Sequence, residues 1–317
     1  MANFLVICSK TCIDLSASSS VIAGLSEVPY FLWCQLYTCL LFTWTDYKTI
    51  MFPVTLFASA VAPVQSISNL LHGLAWIWIH LLLCNVSNQA QSRHEDSINH
   101  PWRPIPSGRL TEHQATRFRW ALVLFCTLYS TFYGKQNVLA TTTLITATIF
   151  HDNLGMSGNP LGKNLCNVGG YTSFEFGAII NIIGKLFFSP SYTGSPNPPD
   201  ALSFTAIVIS GTLIFTTIHA QDFADVEGDF ALGRTTLPIC APELSRLLIL
   251  IALAIWSIGL GWFWDIHPLC QIVFVAIGLL VGIRYYYWRT PQDDKVSYLL
   301  YNVWICCAHI LPLNCRM

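Results

Sequence analysis

The sequence predicts an all-α protein whose helices cross a membrane several times. Of its 317 residues, 53% are hydrophobic and only 10% are charged, and its mean hydropathy is +0.51. A soluble globular protein carries about 25% charged residues. Many apolar runs are also long enough for a helix of about 20 residues, the length that spans a bilayer. We therefore expect a polytopic bundle of about nine transmembrane helices.

Nine apolar segments account for this prediction. An additional apolar stretch, Tyr30 to Phe42, lies so close to the first segment that we expect it to form an interfacial helix. The chain then divides into an N-terminal segment at 1–45 and one transmembrane domain at 46–317. The predicted spans cover about 49–65, 69–88, 113–134, 137–152, 170–188, 201–221, 243–264, 268–288 and 296–314.

Basic residues predict the orientation of these spans. Connections after even-numbered spans hold nearly all the basic residues found between spans, whereas connections after odd-numbered spans hold only Lys135. The side of a membrane protein that is richer in Lys and Arg faces the cytosol. We expect an integral protein of the endoplasmic reticulum with the basic side in the cytosol. The basic residues on that side are Arg93, Arg103, Arg109, Lys163, Arg234, Arg289 and Lys295.

Net charge and cysteine spacing argue against several other functions. The formal net charge is −1 and no basic tract is present, so we expect no nucleic-acid partner. The twelve cysteines lie mostly inside apolar runs, and no CxxC pair has a matching partner. Buried cysteine behaves as a small hydrophobic residue, so neither a disulfide framework nor a zinc site is predicted.

The first polar stretch is NVSNQAQSRHEDSINHPWRPIPSGR, from Asn85 to Arg109, directly after the second predicted span. It concentrates charge in a chain that has little of it. Asn88, Ser92 and Asp96 are spaced i, i+4 and i+8, which places them on one face if the stretch is helical. So much polarity beside an apolar span indicates a site for a polar ligand.

The second polar stretch is HAQDFADVEGDFALGRTTLP, from His219 to Pro238, after the sixth predicted span. Both stretches follow even-numbered spans and therefore emerge on the same side of the membrane. Asp222, Asp225 and Asp229 share one helix face by their i, i+3, i+7 spacing. A carboxylate costs about 2.5–3.5 kcal/mol at the middle of a bilayer, so three near its surface require a counter-ion. Such a run also occurs on solvated loops, but two polar stretches on one side favour a site.

Oxygen ligands of this kind select a hard cation. Mg²⁺ is usually held by one or two carboxylates together with phosphate oxygens of a substrate. The two stretches thus predict a Mg²⁺–diphosphate site at the mouth of a helical cavity lined by aromatic side chains, which suits an isoprenoid tail. Basic side chains able to neutralise the remaining phosphate oxygens are Arg103, Arg109, Lys163 and Arg234.

These stretches resemble the two aspartate-rich motifs of the UbiA superfamily of membrane prenyltransferases. DSINHPWRPIPSGR, Asp96 to Arg109, resembles the N-x-P-x-R-P-I-P-S-G segment that follows the family's first motif, NDxxDxxxD. QDFADVEGDFALGRTTLP, Gln221 to Pro238, contains the second motif, DxxDxxxD, in full. The resemblance runs from about Lys48 to the C-terminus. It implies nine helices, a Mg²⁺ cofactor and a prenyl diphosphate substrate.

The first motif departs from the family pattern. Counting back from Asp96, Gln89 and Ser92 stand where the family usually has aspartates, whereas Asn88 keeps its place. Glu95 stands beside Asp96, but the motif has still lost two formal charges. Asn88 and Gln89 can ligate a metal through their amide oxygens, though more weakly than a carboxylate.

Other segments resemble a fungal branch of the superfamily that contains membrane terpene cyclases. They are the pattern NQ…ED..N.PWRP and HDNLGMSGNPLGKNLCNVGGYTSFEFGA, His151 to Ala178. This resemblance implies ionisation of farnesyl or geranylgeranyl diphosphate, cyclisation of the carbocation and release of diphosphate. Two alternatives stay open: a prenyltransferase that uses an aromatic acceptor, and a non-catalytic protein that binds or transports isoprenoids.

The resemblance also implies roles for individual residues. Asp222, Asp225 and Asp229 would hold one Mg²⁺, and Asn88, Glu95 and Asp96 the other, which makes the four aspartates the catalytic candidates. The diphosphate would be bound by Arg103, Arg109, Lys163 and Asn88. Candidates of the second rank are Gln89, Ser92, Lys48, Asn181, Lys185 and Arg234.

Overall fold

The computed structural model describes residues 21–62, 64, 66–183 and 199–316. Over these residues the chain is helical and contains no strand, as the sequence predicted. The α-helices are α1 (Val21–Thr43), α2 (Phe52–Val61), α3 (Ile67–Gln89), α4 (Arg93–Asn99), α5 (Glu112–Thr131), α6 (Lys135–Asp152), α7 (Pro160–Ile183), α8 (Ala201–Thr217), α9 (Val226–Ala231), α10 (Leu237–Cys240), α11 (Pro242–Phe263), α12 (Pro268–Tyr287) and α13 (Pro291–Ile310). Short 3-10 segments cover Trp44–Asp46, Met156–Gly158, Ile218–Asp225 and Leu311–Cys315, and Tyr47–Met51 is a π-helical turn before α2.

Every predicted span coincides with a helix, and the largest difference is in the fifth. Helix α7 begins at Pro160 rather than near 170. Proline is well suited to a first helical turn because the missing N–H would have had no partner there. The end of this predicted span, 184–188, lies outside the described residues. Within the described part of the chain, five helical segments are long and apolar enough to cross a bilayer, so the count of nine spans stays a prediction.

Hydroxyl or carboxylate side chains cap the first turn of four of the long helices in the described part of the chain. Ser66, Thr111, Asp200 and Thr290 each accept a hydrogen bond from the backbone N–H three residues later. Thr111 also forms a reciprocal capping box with Gln114. Each cap satisfies a backbone donor that the helix leaves unpaired and contributes about 0.5–2 kcal/mol. The polar connections of the sequence therefore fix where these apolar helices start.

Helix α7 lies at the centre of the bundle. It packs against α2, α3, α6 and α8. Trp76 of α3 lies directly over Gly177, where any side chain would overlap its ring. The indole N–H of Trp76 donates to Ser130 Oγ at 3.0 Å, and its ring stacks on His80 at 4.0 Å. These contacts hold α3, α5 and α7 in a fixed arrangement.

A buried ion pair joins the C-terminal helices to the second polar stretch. Arg246 of α11 donates to both carboxylate oxygens of Asp294 in α13, at 3.0 and 2.9 Å. It also donates to the carbonyl oxygen of Tyr285 in α12 at 2.6 Å. The guanidinium lies 4.5 Å from the ring centre of Phe223, the neighbour of Asp222. This contact positions the segment that carries the second motif.

Replacing Gly177 by alanine should lower the thermal unfolding temperature. The added Cβ would overlap the Trp76 ring, which Ser130 and His80 hold in place. Overpacking of this kind costs about 1–3 kcal/mol. At Gly170, on the same helix, an added Cβ would meet nothing within 4 Å, so Gly170→Ala is the matched control. Circular dichroism in detergent micelles measures both variants, and equal unfolding temperatures would contradict the close-packing argument.

Candidate active site

The structure brings the two polar stretches together at one end of the bundle. Short helices α4 and α9, one from each stretch, pack against each other. Arg234 Nη1 lies 2.7 Å from Glu95 of the first stretch and 2.9 Å from Asp229 of the second. A single guanidinium therefore links carboxylates that are far apart in the sequence.

The second motif lies on two helical segments rather than on one continuous α-helix. Asp222 and Asp225 belong to the 3-10 segment Ile218–Asp225, and Asp229 belongs to α9. Residues three apart eclipse each other in a 3-10 helix, so Asp222 and Asp225 still share a side. Asp222 and Asp229 are buried and Asp225 is half-buried. The shared face that the sequence predicted is thus produced by a different backbone geometry.

Lys163 forms ion pairs with two of these aspartates. It stands in the first turn of α7, and its ammonium lies 2.8 Å from Asp222 and 3.3 Å from Asp229. All three side chains are almost fully buried. The cations that the sequence assigned to a diphosphate are therefore paired here with the carboxylates that it assigned to a metal.

Asp96 is held by a second cation. Arg103 Nη1 donates to Asp96 Oδ1 at 2.6 Å, and Arg103 Nη2 donates to Thr45 Oγ1 at 3.3 Å. Burial raises the pKa of the Asp96 carboxyl to about 6, although the neighbouring Arg103 acts in the opposite direction. The other oxygen of Asp96 is buried and has no hydrogen-bond partner.

The oxygen atoms of these acidic side chains are of the chemical type that Mg²⁺ binds. Among the described side chains, Asp225 makes no ion pair and no side-chain hydrogen bond, and Asp96 has one unpartnered oxygen. Carboxylate oxygens are the ligands that Mg²⁺ prefers. Over the same residues, no three Asp, Glu, His or Cys groups lie close enough together to hold a metal.

A cavity of about 190 Å³ lies beside this cluster. Gln221, the neighbour of Asp222, forms part of its wall. The rest of the wall comes from the segment before α2 and from α3, α6, α7 and α13. Its acidic, amide and imidazole residues are Asp46, Asn85, Asn88, His151, Asp152, Asn167 and Gln221, and its largest apolar and aromatic residues are Ile50, Leu81, Leu144, Tyr171, Phe174 and Tyr298.

Asp152 lines the cavity, but it belongs to neither motif and was not predicted as a site residue. It ends α6, and its carboxylate accepts hydrogen bonds from Ser87 at 2.5 Å and from Asn88 at 3.2 Å. His151 Nδ1 lies 2.8 Å from the same carboxylate. A signal was present in the sequence, because Asp152 ends an even-numbered predicted span and so lies on the side of both motifs. Asp46 is a second cavity residue that the motifs did not predict, and its carboxylate accepts a hydrogen bond from Thr49 Oγ1 at 2.9 Å.

Two positions of the first motif do not face the cavity. Gln89 is buried and donates from its amide to the carbonyl oxygen of Phe42 at 3.0 Å. Ser92 donates to the backbone oxygen of Asn88 at 2.8 Å. Neither side chain lines the cavity, whereas Asn88 does. In this structure the two positions that lost an aspartate have packing roles.

The remaining candidates lie in different surroundings. Lys48 lies over the ring of Tyr298, a cavity residue, at 5.0 Å. Arg109 lies over the ring of Tyr37 at the same distance. Asn181 is buried below the cavity and donates to the carbonyl oxygen of Gly177 in its own helix. Lys185 lies outside the described residues.

Comparisons with known proteins agree on one family. The model of the UbiA prenyltransferase family matches residues 50–305. The chain is similar to fumagillin beta-trans-bergamotene synthase of Aspergillus fumigatus, with 29% identity over 88% of this chain and 93% of that protein. It is also similar to a diterpene cyclase of Hericium erinaceus, with 27% identity over 84% of each chain.

A solved structure shares the fold. A UbiA homolog from Archaeoglobus fulgidus, determined with GPP and Mg²⁺ bound, superimposes with a TM-score of 0.57. The match covers 86% of this chain and 99% of that one at 11% identity. Identity this low supports the fold alone.

Replacing Lys163 by methionine should destabilise the protein strongly. Asp222 would remain buried without a cation, next to Asp229, which would keep only Arg234 as its partner. Removing one partner of a buried ion pair costs about 3–5 kcal/mol. Lys135→Met, at an exposed lysine, is the matched control and should stay within about 0.5 kcal/mol of the parent. Thermal unfolding in detergent measures both, and adding Asp222→Asn to Lys163→Met should recover part of the loss. An unfolding temperature of Lys163→Met equal to that of the control would contradict the assigned pairing.

Proposed function

The chain belongs to the UbiA prenyltransferase family, and we propose that it is a Mg²⁺-dependent terpene cyclase embedded in a membrane. Its substrate would be a linear prenyl diphosphate, farnesyl or geranylgeranyl diphosphate. The observation that carries the proposal is the acidic and basic cluster placed beside a cavity with an apolar, aromatic floor. Both relatives reported above are named as enzymes that form terpenes. The chain is an integral membrane protein, and by its basic residues we propose the endoplasmic reticulum, with the cluster on the cytosolic side.

The cluster would receive the diphosphate. Asp222, Asp225 and Asp229 are the proposed ligands of one Mg²⁺, and Asn88, Glu95 and Asp96 those of the other. When bound, Mg²⁺ stabilises the negative charge that grows on the diphosphate as it leaves. If these carboxylates held the metal, Lys163, Arg103 and Arg234 would lose their present partners. These cations are then free to donate to phosphate oxygens, since each lies within 3.3 Å of a carboxylate that the metal would take over.

Asp152 supports a complete first metal site. The first motif lacks carboxylates at Gln89 and Ser92, but Asp152 is hydrogen-bonded to Asn88 and lines the same cavity. Its negative charge comes from another helix and lies beside the amide that the motif retains. We therefore include Asp152 among the residues that bind or orient the first Mg²⁺.

Catalysis would begin with breakage of the allylic C–O bond, whose electron pair leaves with the diphosphate. The allylic cation remains in the cavity, where a double bond of its own chain attacks it. Tyr171, Phe174 and Tyr298 line this space, and an aromatic face stabilises a cation by about 0.5–2 kcal/mol. Transfer of a proton from the carbon next to the final cation to the released diphosphate then gives a cyclic hydrocarbon.

An aromatic acceptor has less support. A prenyltransferase must hold a second substrate beside the prenyl cation. The cavity of about 190 Å³ is smaller than ordinary ligand pockets of about 300–1,000 Å³. Attack within one chain fits this space better than attack on a second molecule.

The protein should convert one linear prenyl diphosphate to a cyclic terpene without any acceptor. Membranes that contain it are incubated with Mg²⁺ and either farnesyl or geranylgeranyl diphosphate, and products are read by gas chromatography–mass spectrometry. Asp222→Ala/Asp225→Ala and EDTA should each remove at least about 99% of the product, since both abolish charge stabilisation of the leaving group. Glu227→Gln, an exposed acid between Asp225 and Asp229, is the matched control and should retain activity.

Two outcomes would count against the cyclase. If the folded protein formed no product from either substrate, the proposal would be wrong. A prenylated product that appears only after an aromatic acceptor is added would establish the prenyltransferase instead.

Replacing Asp152 by asparagine should weaken Mg²⁺ dependence selectively. The amide keeps the shape of the carboxylate but removes its charge beside Asn88. Residues that support a metal ligand typically change metal affinity by about 10–100-fold, so the Mg²⁺ concentration for half-maximal activity should rise by that factor. Glu112→Gln, at an exposed acid, is the control. An unchanged Mg²⁺ curve for Asp152→Asn would remove this residue from the metal site.

A further inference from the structure

We propose that Tyr285 and Tyr301 are positioning residues for the metal site: they hold the segment that carries Asp222 and Asp225 in a 3-10 conformation and thereby set the affinity for Mg²⁺. This inference rests on the proposed function and names residues of α12 and α13 that act on its metal site. The segment Ile218–Asp225 is called the motif segment below. Both tyrosines would act through this segment and not by contact with the metal.

The motif segment is long for a 3-10 helix. It covers eight residues, whereas 3-10 runs longer than about three or four residues are uncommon because their hydrogen-bond geometry is poorer than that of an α-helix. The backbone also changes at both ends, where φ is −123° at Thr217 and −111° at Asp225, compared with about −63° in an α-helix. Contacts from other helices are therefore needed to keep this conformation.

The 3-10 conformation suits the spacing of the second motif. A 3-10 helix completes a turn in about three residues, so Asp222 and Asp225 lie one above the other. Helix α9 begins directly after Asp225, and an α-helix places residues four apart on one face, which fits the step from Asp225 to Asp229. If the motif segment were α-helical, Asp222 and Asp225 would point about 60° apart. Lys163 lies within 3.3 Å of both Asp222 and Asp229, so the two ends of the motif do converge.

Tyr301 of α13 fixes the start of the motif segment. Its hydroxyl lies 2.8 Å from Oγ1 of Thr217, the last residue of α8, and both residues are fully buried. The Thr217 hydroxyl donates its own hydrogen to the carbonyl oxygen of Leu213 at 2.7 Å. Since a hydroxyl has only one hydrogen, Tyr301 is the donor to Thr217. This hydrogen bond therefore holds the residue at which α8 ends and the 3-10 segment begins.

Tyr285 of α12 fixes the middle of the motif segment. Its hydroxyl donates to the carbonyl oxygen of Ala220 at 3.0 Å, and its ring centre lies 5.1 Å from that of Phe223. A carbonyl oxygen has two lone pairs, so Ala220 can accept this bond in addition to one from its own helix. Ala220 and Phe223 stand on either side of Asp222 in the sequence. The contacts of Tyr285 thus hold the backbone both before and after this aspartate.

Tyr285 is itself held by the buried ion pair of Arg246 and Asp294. Arg246 donates to the backbone oxygen of Tyr285 at 2.6 Å and to both carboxylate oxygens of Asp294 at 3.0 and 2.9 Å. The same guanidinium lies 4.5 Å from the ring centre of Phe223. A bidentate pair of this kind constrains geometry as well as charge. Tyr285 therefore contacts the motif segment from a fixed position.

Binding of unreactive substrate analogues tests the proposal. Farnesyl and geranylgeranyl thiodiphosphate are titrated into the purified protein in detergent by isothermal titration calorimetry, once with Mg²⁺ and once with EDTA. Tyr285→Phe and Tyr301→Phe each remove one hydroxyl and keep the ring. Residues that support metal ligands change metal affinity by about 10–100-fold, so each variant should raise the Kd measured with Mg²⁺ by about tenfold or more. The Kd measured with EDTA should stay the same, because no metal is then bound.

Tyr133→Phe is the matched control. It also removes the hydroxyl of a buried tyrosine, which lies 3.0 Å from both His72 Nδ1 and Tyr129 Oη, away from the motif segment. It should lower the unfolding temperature about as much as the other two variants, but its Kd with Mg²⁺ should stay within about twofold of the parent because it supports no metal ligand. Equal Kd values for all three variants would overturn the proposal, as would equal losses of binding with Mg²⁺ and with EDTA.

Phe223→Leu keeps the test decisive if a tyrosine variant does not fold. Leucine retains an apolar side chain at this buried position but lacks the ring that contacts Tyr285 and Arg246. Its Kd with Mg²⁺ should rise as in Tyr285→Phe, whereas an unchanged Kd would contradict the positioning role.

Failure of this inference differs from failure of the proposed function. Asp222→Ala/Asp225→Ala removes two proposed ligands and should abolish the part of binding that depends on Mg²⁺. If it does so while both tyrosine variants bind like the parent, the metal site is retained and the positioning role is rejected. If both tyrosine variants bind weakly with Mg²⁺ but the parent forms no terpene from natural substrates, the positioning role is retained and the cyclase is rejected.

Discussion

The structure depends on one buried and one half-buried cation, each shared by two carboxylates. Lys163 lies between Asp222 and Asp229, and Arg234 joins Asp229 to Glu95. None of these charges could remain buried alone, because desolvating an isolated ion costs several kcal/mol. The pairing thus holds together segments from α4, α7 and α9. It also keeps these carboxylates next to one another.

Helix α7 transmits this arrangement to the rest of the bundle. Lys163 stands in its first turn, Tyr171 and Phe174 form cavity wall further along, and Gly177 receives Trp76. One rigid helix therefore fixes the distance between the charged cluster and the floor of the cavity. In a membrane every backbone polar group of such a helix is satisfied internally, so its register does not slip easily. A bound substrate would lie along this helix, with its diphosphate near the first turn of α7 and its reacting chain beside the later turns.

Hydropathy was sufficient to predict the all-α fold, since apolar runs of bilayer length have few other solutions. Because both polar stretches follow even-numbered predicted spans, the sequence was also sufficient to predict that Asp229 and Glu95 lie at the same end of the bundle. The sequence could not show that Gln89 bonds to Phe42, because its direction depends on how α1 packs on α3. Nor could it show Asp152 beside Asn88, a contact made by packing of α3 on α6. Pairwise helix packing, which hydropathy does not encode, decides these residues.

The polarity of the cavity changes along its depth, and this gradient favours reaction within a single chain. Asp46 and Asp152 lie with the amides near the ionic cluster, whereas Leu81, Leu144 and Phe174 form an apolar and aromatic floor. These three floor residues offer no hydroxyl or carboxylate to capture a carbocation. A cation that enters the cavity can be stabilised by its aromatic faces, which attract charge without forming a covalent bond. The apolar chemistry of the floor therefore favours attack on the cation by a double bond of the same chain, which is the step that leads to cyclisation.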